Sequence, residues 1–73
     1  MPHIDVKMFP GRDEATKKAL AEKIIETAVE QLGCAKEVLS VSVAEVTPDD
    51  WNEQVADVIP AEQVMAGEVY RVK

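Results

Sequence analysis

Residues 3–46 read HIDVKMFPGRDEATKKALAEKIIETAVEQLGCAKEVLSVSVAEV, and the change of period along this stretch decides the fold. From His3 to Met8 the residues alternate, with Ile4, Val6 and Met8 on one side and His3, Asp5 and Lys7 on the other. That is the period of a half-buried strand. Pro10-Gly11 breaks it. Asp13 then has the chemistry of a helix N-cap, and Leu20, Ile24, Ile25, Ala28, Val29 and Leu32 recur at three-to-four spacing as far as Gly33, a residue suited to the left-handed turn that ends a helix. From Val38 to Val46 the chain is β-branched again, Leu39, Val41 and Val43 alternating against Ser40, Ser42 and Ala44. Strand, helix and strand joined by short links predict a βαβ unit with parallel strands and a right-handed crossover.

Outward from that unit, Thr47-Pro48-Asp49-Asp50 has the form of an N-cap with proline at the first helical position, so a short helix is expected to carry Trp51 through Asp57 until Pro60. Ala61 to Ala66 suits another helical turn. Glu68 to Val72 alternates like a short strand that would pair within the subunit or with a neighbour. There is no internal repeat, low-complexity run or linker, which makes residues 1–73 a single domain.

A chain of 73 residues buries only about 60% of the surface its unfolded form exposes. Small domains add disulfides, a structural metal or self-association. One cysteine and one histidine cannot supply the first two, so a homo-oligomer is expected, with one face of the two-stranded sheet covered by the helix and the other by a second copy. A hydrophobic content of 47% with only Phe9, Trp51 and Tyr70 as aromatics describes an aliphatic globular core and not a disordered chain. The net charge of −6 argues against nucleic acid as a partner, since its binders carry basic patches. No apolar run approaches the roughly 20 residues of a membrane span and no signal-peptide pattern opens the chain, so no membrane partner and a soluble, cytoplasmic protein are expected. The single unpaired cysteine fits a reducing compartment.

The usual catalytic inventory is nearly empty. A single His3 and a single Cys34 make no metal cluster and no nucleophile triad, and there is no glycine-rich phosphate loop. The remaining candidate is Pro2, which becomes a secondary amine at the start of the first strand once Met1 is removed. Most chains that begin Met-Pro do nothing with that amine, and with Met1 retained Pro2 has no basic lone pair. Arg12 would ordinarily be a solvated loop residue paired with Asp13 or Glu14. Trp51 would ordinarily be a core or interface side chain, His3 a solvated or paired one, and Met8 and Phe9 core.

The segment Pro2-His3-Ile4-Asp5-Val6-Lys7, continuing through Phe9-Pro10-Gly11-Arg12 to the helix beginning near Glu14, resembles the opening of the 4-oxalocrotonate tautomerase family of the tautomerase superfamily. The βαβ unit from residue 2 to about 46 matches that family in length and order, Trp51 falls where the family carries an aromatic residue, and the stretch with Tyr70 is more similar to tautomerases of the PptA type. The resemblance implies an α+β fold, a β-α-β, MIF-like subunit assembled as a homo-oligomer, dimer or hexamer, with sites near subunit interfaces. It implies keto-enol isomerisation of a small anionic enol or keto acid, with Pro2 as general base, Arg12 binding the carboxylate and Trp51 walling the pocket. No cofactor and no metal are implied. The type enzyme's second arginine, on the second strand, aligns with Ser40 here, which leaves a hydroxyl where a dicarboxylate substrate would find a cation. That places the type enzyme's dicarboxylate substrate in doubt here and makes a monoacid enol such as phenylenolpyruvate the more natural test compound. The alternatives are a catalytically silent oligomeric binding homologue, or a decarboxylase or dehalogenase of the same fold.

Overall fold

A computed structural model describes all residues from Met1 to Lys73. Strand β1 (His3–Met8) leads into helix α1 (Glu14–Leu32), and strand β2 (Ser40–Glu45) follows after a single 3-10 turn at Lys36–Val38. The two strands pair in parallel, His3 opposite Ser40 and Met8 opposite Glu45, and the amide of Val46 extends the ladder to the carbonyl of Met8 at 2.8 Å. The second strand is shorter at its start than the β-branched run suggested, because Lys36–Val38 is tightened into that turn.

Both ends of α1 are set by side-chain chemistry. The Asp13 carboxylate accepts the Thr16 amide at 2.8 Å, and Gly33 adopts the left-handed conformation (φ 69°) while its N–H closes on the Val29 carbonyl. Lys17 ties the helix to the sheet, reaching Glu14 at 2.8 Å and Glu45 on β2 at 3.3 Å. Since Glu45 is in register with Met8, the helix covers the sheet face that carries Ile4, Val6 and Met8. The other face carries His3, Asp5, Lys7, Ser40 and Ser42, and is hydrogen-bonded to itself.

After β2 the chain enters α2 (Pro48–Trp51), which widens directly into a π-turn over Asn52–Ala56. A 3-10 turn at Ala61–Gln63 is all that forms of the next expected helix, and residues 68–72 join no strand. They are fastened to α2 and its π-turn by side chains instead.

Only Leu39, Val46 and Val55 are buried, and no side chain is fully enclosed. The chain exposes 5668 Å², where a compact monomer of its mass of 8.0 kDa would expose about 4,450 Å². Its radius of gyration is 13.6 Å, against about 11 Å for a compact chain of this length. The exposed large apolar side chains are Met1 at the N-terminus, Leu20 and Leu32 on α1, and Val58, Ile59, Met65 and Tyr70 in the tail. The apolar surface left without cover thus follows the helix and the tail, not the open sheet face, which is polar. No helix is long and apolar enough to cross a membrane.

Candidate active site

Pro2 is half-buried and stands immediately before β1. Because His3 and Ser40 are the first register pair, Pro2 and Ser40 share the N-terminal end of the sheet. There the imidazole of His3 lies between two hydroxyls, Nδ1 at 2.6 Å from Ser40 Oγ and Nε2 at 2.9 Å from Ser42 Oγ. Ser42 donates to Asp5 Oδ1 at 2.8 Å, and Lys7 donates to Asp5 Oδ2 at 2.5 Å. Those two bonds, Lys7 first and the Ser42 hydroxyl second, hold the Asp5 carboxyl below its usual range against the opposing effect of desolvation. The alternation of β1 predicts which side chains share this face. It does not predict their order of contact, which the register with β2 decides.

The opposite end of the sheet holds the aromatics. Phe9, the first residue after β1, meets Trp51 edge to face with ring centres 4.9 Å apart and an angle of 82°, and Tyr70 at 6.1 Å and 80°. Such edge-to-face pairs set the positive rim of one ring against the negative face of another. Trp51 donates its indole N–H to the Tyr70 carbonyl at 2.7 Å. Next to it Asn52 donates to the Val72 carbonyl at 2.7 Å and accepts the Val72 N–H at 2.8 Å, and Arg71 pairs with Asp57. The sequence gives no periodic sign of these attachments, since Trp51 and Asn52 reach backbone about twenty residues away and Arg71 reaches a side chain fourteen residues back.

Arg12 is exposed, three residues past Phe9 and one before the cap. Gly11 presents it: φ is 134° there, and a Cβ at that position would touch nothing within 4 Å, so the glycine is needed for its backbone angle and not for space. Although Asp13 and Glu14 follow it directly, Arg12 forms no ion pair in the subunit. Asp13 is engaged by the Thr16 amide and Glu14 by Lys17.

The four candidate residues therefore lie toward opposite ends of one sheet: Pro2 and Ser40 at its start, and at its far end Trp51, packed on Phe9, with Arg12 three residues past Phe9 in the chain. The five residue steps from His3 to Met8 span roughly 17 Å. Neither concavity of the single subunit contains any of the four: one is an apolar groove between Ile4 and Ile24, Ala28 and Leu32 of α1, and the other lies within the tail around Ile59, Val64 and Val69. No cluster of three or more histidine, cysteine or acidic side chains is placed to hold a metal ion.

Comparison with known proteins supplies the context for this arrangement. The tautomerase family model, described as tautomerase enzyme, matches residues 2–70. The chain is 42% identical over 60 residues to the tautomerase PptA of Pectobacterium carotovorum, a match spanning 81% of this chain and 79% of that protein. It is 41% identical over 66 residues to the tautomerase PptA of Cronobacter sakazakii, spanning 88% and 86%. Among solved structures, TomN, a 4-oxalocrotonate tautomerase homologue in the tomaymycin biosynthetic pathway, superposes with a TM-score of 0.65 at 36% identity, over 68% of this chain and 77% of that one.

Proposed function

This chain belongs to the tautomerase family, and on that premise we propose that it isomerises a small keto or enol monoacid in a site completed between subunits. Pro2, freed by removal of Met1, is the general base, Arg12 of a neighbouring copy grips the carboxylate, and Trp51 of that copy walls the pocket. The observation that carries this reading is the unpaired guanidinium of Arg12. In a chain with net charge −6 it is flanked by two acids and paired with neither.

The chemistry needs little from the protein. A proton leaves one position of the substrate for the Pro2 nitrogen and returns at another, so composition is unchanged. A general base works best with a pKa near the working pH. An α-amino group starts at about 7.7 to 8.0, and an apolar wall together with a guanidinium disfavours its cationic form. Two parallel N–H bonds from Arg12 to the carboxylate would fix the distance between acid group and migrating proton.

Two features support self-association. Pro2 and Arg12 are separated by the length of β1 within one subunit, so one copy cannot bring them together. The surface in excess of a compact monomer, about 1,200 Å², exceeds the roughly 800 Å² per partner of a standard interface, and the groove beside Ile4 continues the uncovered apolar helix. Light scattering distinguishes dimer from hexamer.

With Met1 retained, Pro2 is an acylated nitrogen and the same assembly would be a silent binding protein. One experiment separates the two: the ketonisation rate of phenylenolpyruvate with protein whose intact mass lacks Met1, beside Pro2→Ala. Acceleration that collapses in the variant supports the proline base, and a rate equal to buffer rejects it.

A further inference from the structure

We propose that His3 and Ser40 form a proton-linked anion clamp, in which the Ser40 hydroxyl captures a substrate oxyanion only as His3 gains a proton. The proposal names a specificity-determining pair within the site described above and rests on that reading for the position of the substrate. It derives from a count of protons along the chain of side chains Lys7, Asp5, Ser42, His3 and Ser40.

A serine hydroxyl has one proton. Ser42 gives its proton to Asp5, whose carboxylate stays ionised beside Lys7, so toward His3 the Ser42 oxygen can only accept. Nε2 therefore carries a hydrogen. In the neutral ring Nδ1 is then an acceptor, and Ser40 must point its own proton inward, 2.6 Å away. In that state Ser40 offers an arriving anion nothing but lone pairs.

To hold an anion Ser40 must turn its proton outward. That leaves the Nδ1 lone pair facing the hydroxyl lone pairs at hydrogen-bond distance. A proton added to Nδ1 repairs the contact, restores a donor–acceptor pair and places a cation behind the hydroxyl, where a charge-assisted bond is shorter and stronger. Imidazole is the side chain suited to such a change near neutral pH. The charged groups on this face are Asp5 and Lys7, both from β1. β2 contributes only Ser40, Ser42 and Ala44, because Glu45 is turned to Lys17 on the helix side, and α1 packs on the other face.

The consequence is linkage: where His3 is neutral in the free protein, each anion bound takes up a proton, and affinity falls about tenfold per pH unit. His3 is the only histidine in the chain, so its ring resonances are unambiguous. The probe is phenylsuccinate, a dicarboxylate with no ketone and nothing to isomerise, whose second carboxylate can meet Ser40 when Arg12 holds the first, added at slightly alkaline pH to protein lacking Met1. The ring Hε1 resonance should move toward its low-pH position, and calorimetry in buffers of different ionisation enthalpy should show about one proton taken up per site, which is lost in His3→Gln. Ser40→Ala, which leaves the rest of the chain of bonds in place, should bind without moving the ring resonance and decides the matter should His3→Gln change the assembly. A ring resonance unmoved by the ligand, or proton uptake unchanged in Ser40→Ala, overturns the clamp. Because the probe does not react, failure of the proline base would appear separately, as ring protonation without turnover of phenylenolpyruvate.

Discussion

The side-chain amide of Asn52 engages both backbone groups of Val72, giving its N–H to the carbonyl at 2.7 Å and taking the Val72 N–H at 2.8 Å. One side chain thus does for the tail what a neighbouring strand would do. Asn52→Leu removes both partners from part-buried groups, and each unmet group costs about 1–3 kcal/mol. The tail should be released: hydrogen exchange of the Val72 amide should rise to the level of an unstructured residue, with fluorescence of Trp51, the only tryptophan, reporting the same loosening.

Mixing tests the division of the site. Pro2→Ala and Arg12→Ala should each be nearly inactive alone. If the site takes its base from one subunit and its guanidinium from another, equal amounts dissociated and reassembled together should recover about one quarter of wild-type activity, the product of two one-half chances for randomly mixed copies. No recovery beyond the sum of the two variants would show that both groups come from the same chain.

Gly11 holds φ at 134°, where a side chain is strained. Gly11→Ala should cost of order 1–3 kcal/mol in denaturant unfolding, or shift the loop and carry Arg12 with it. The kinetic sign of the second outcome is a raised KM for the monoacid with a smaller change in kcat, since Arg12 is assigned to binding.

Acid should loosen the start of α1. Thr16, through its side chain first and its backbone N–H second, favours the ionised Asp13 carboxylate and holds it below the usual carboxylate range. A depressed folded pKa means that the contribution is present above about 4 and is lost as pH falls through the folded value. Asp13→Ala should be less stable than wild type at pH 7, with the gap closing on acidification. A gap independent of pH would show that the cap carries no proton linkage.

How far the chain could be read in advance follows from the range of each interaction. Asp13, Gly33 and the alternations of β1 and β2 act within a few residues, and the caps and strands appear where those residues require them. Glu68 to Val72 alternates like a strand but joins no strand of its own subunit. Its partners are the side chains of Trp51 and Asn52, which a pattern within residues 68–72 cannot encode. The candidate residues Pro2, Arg12, Trp51 and Ser40 came from likeness to a family. Their division between the two ends of the sheet came from register, which is a relation between strands and not a property of either one.

That division has a consequence for how the protein would behave in dilute solution. A small molecule gripped at one end by Arg12 and worked upon at the other by Pro2 would be a bridge between two chains. Whatever binds the joined form better than the separate chains favours joining. The substrate would then act as a glue, drawing scattered subunits into the only form able to consume it, and its exhaustion would let them drift apart. Catalytic capacity would rise more steeply than the amount of protein, so that scarcity itself would silence the site.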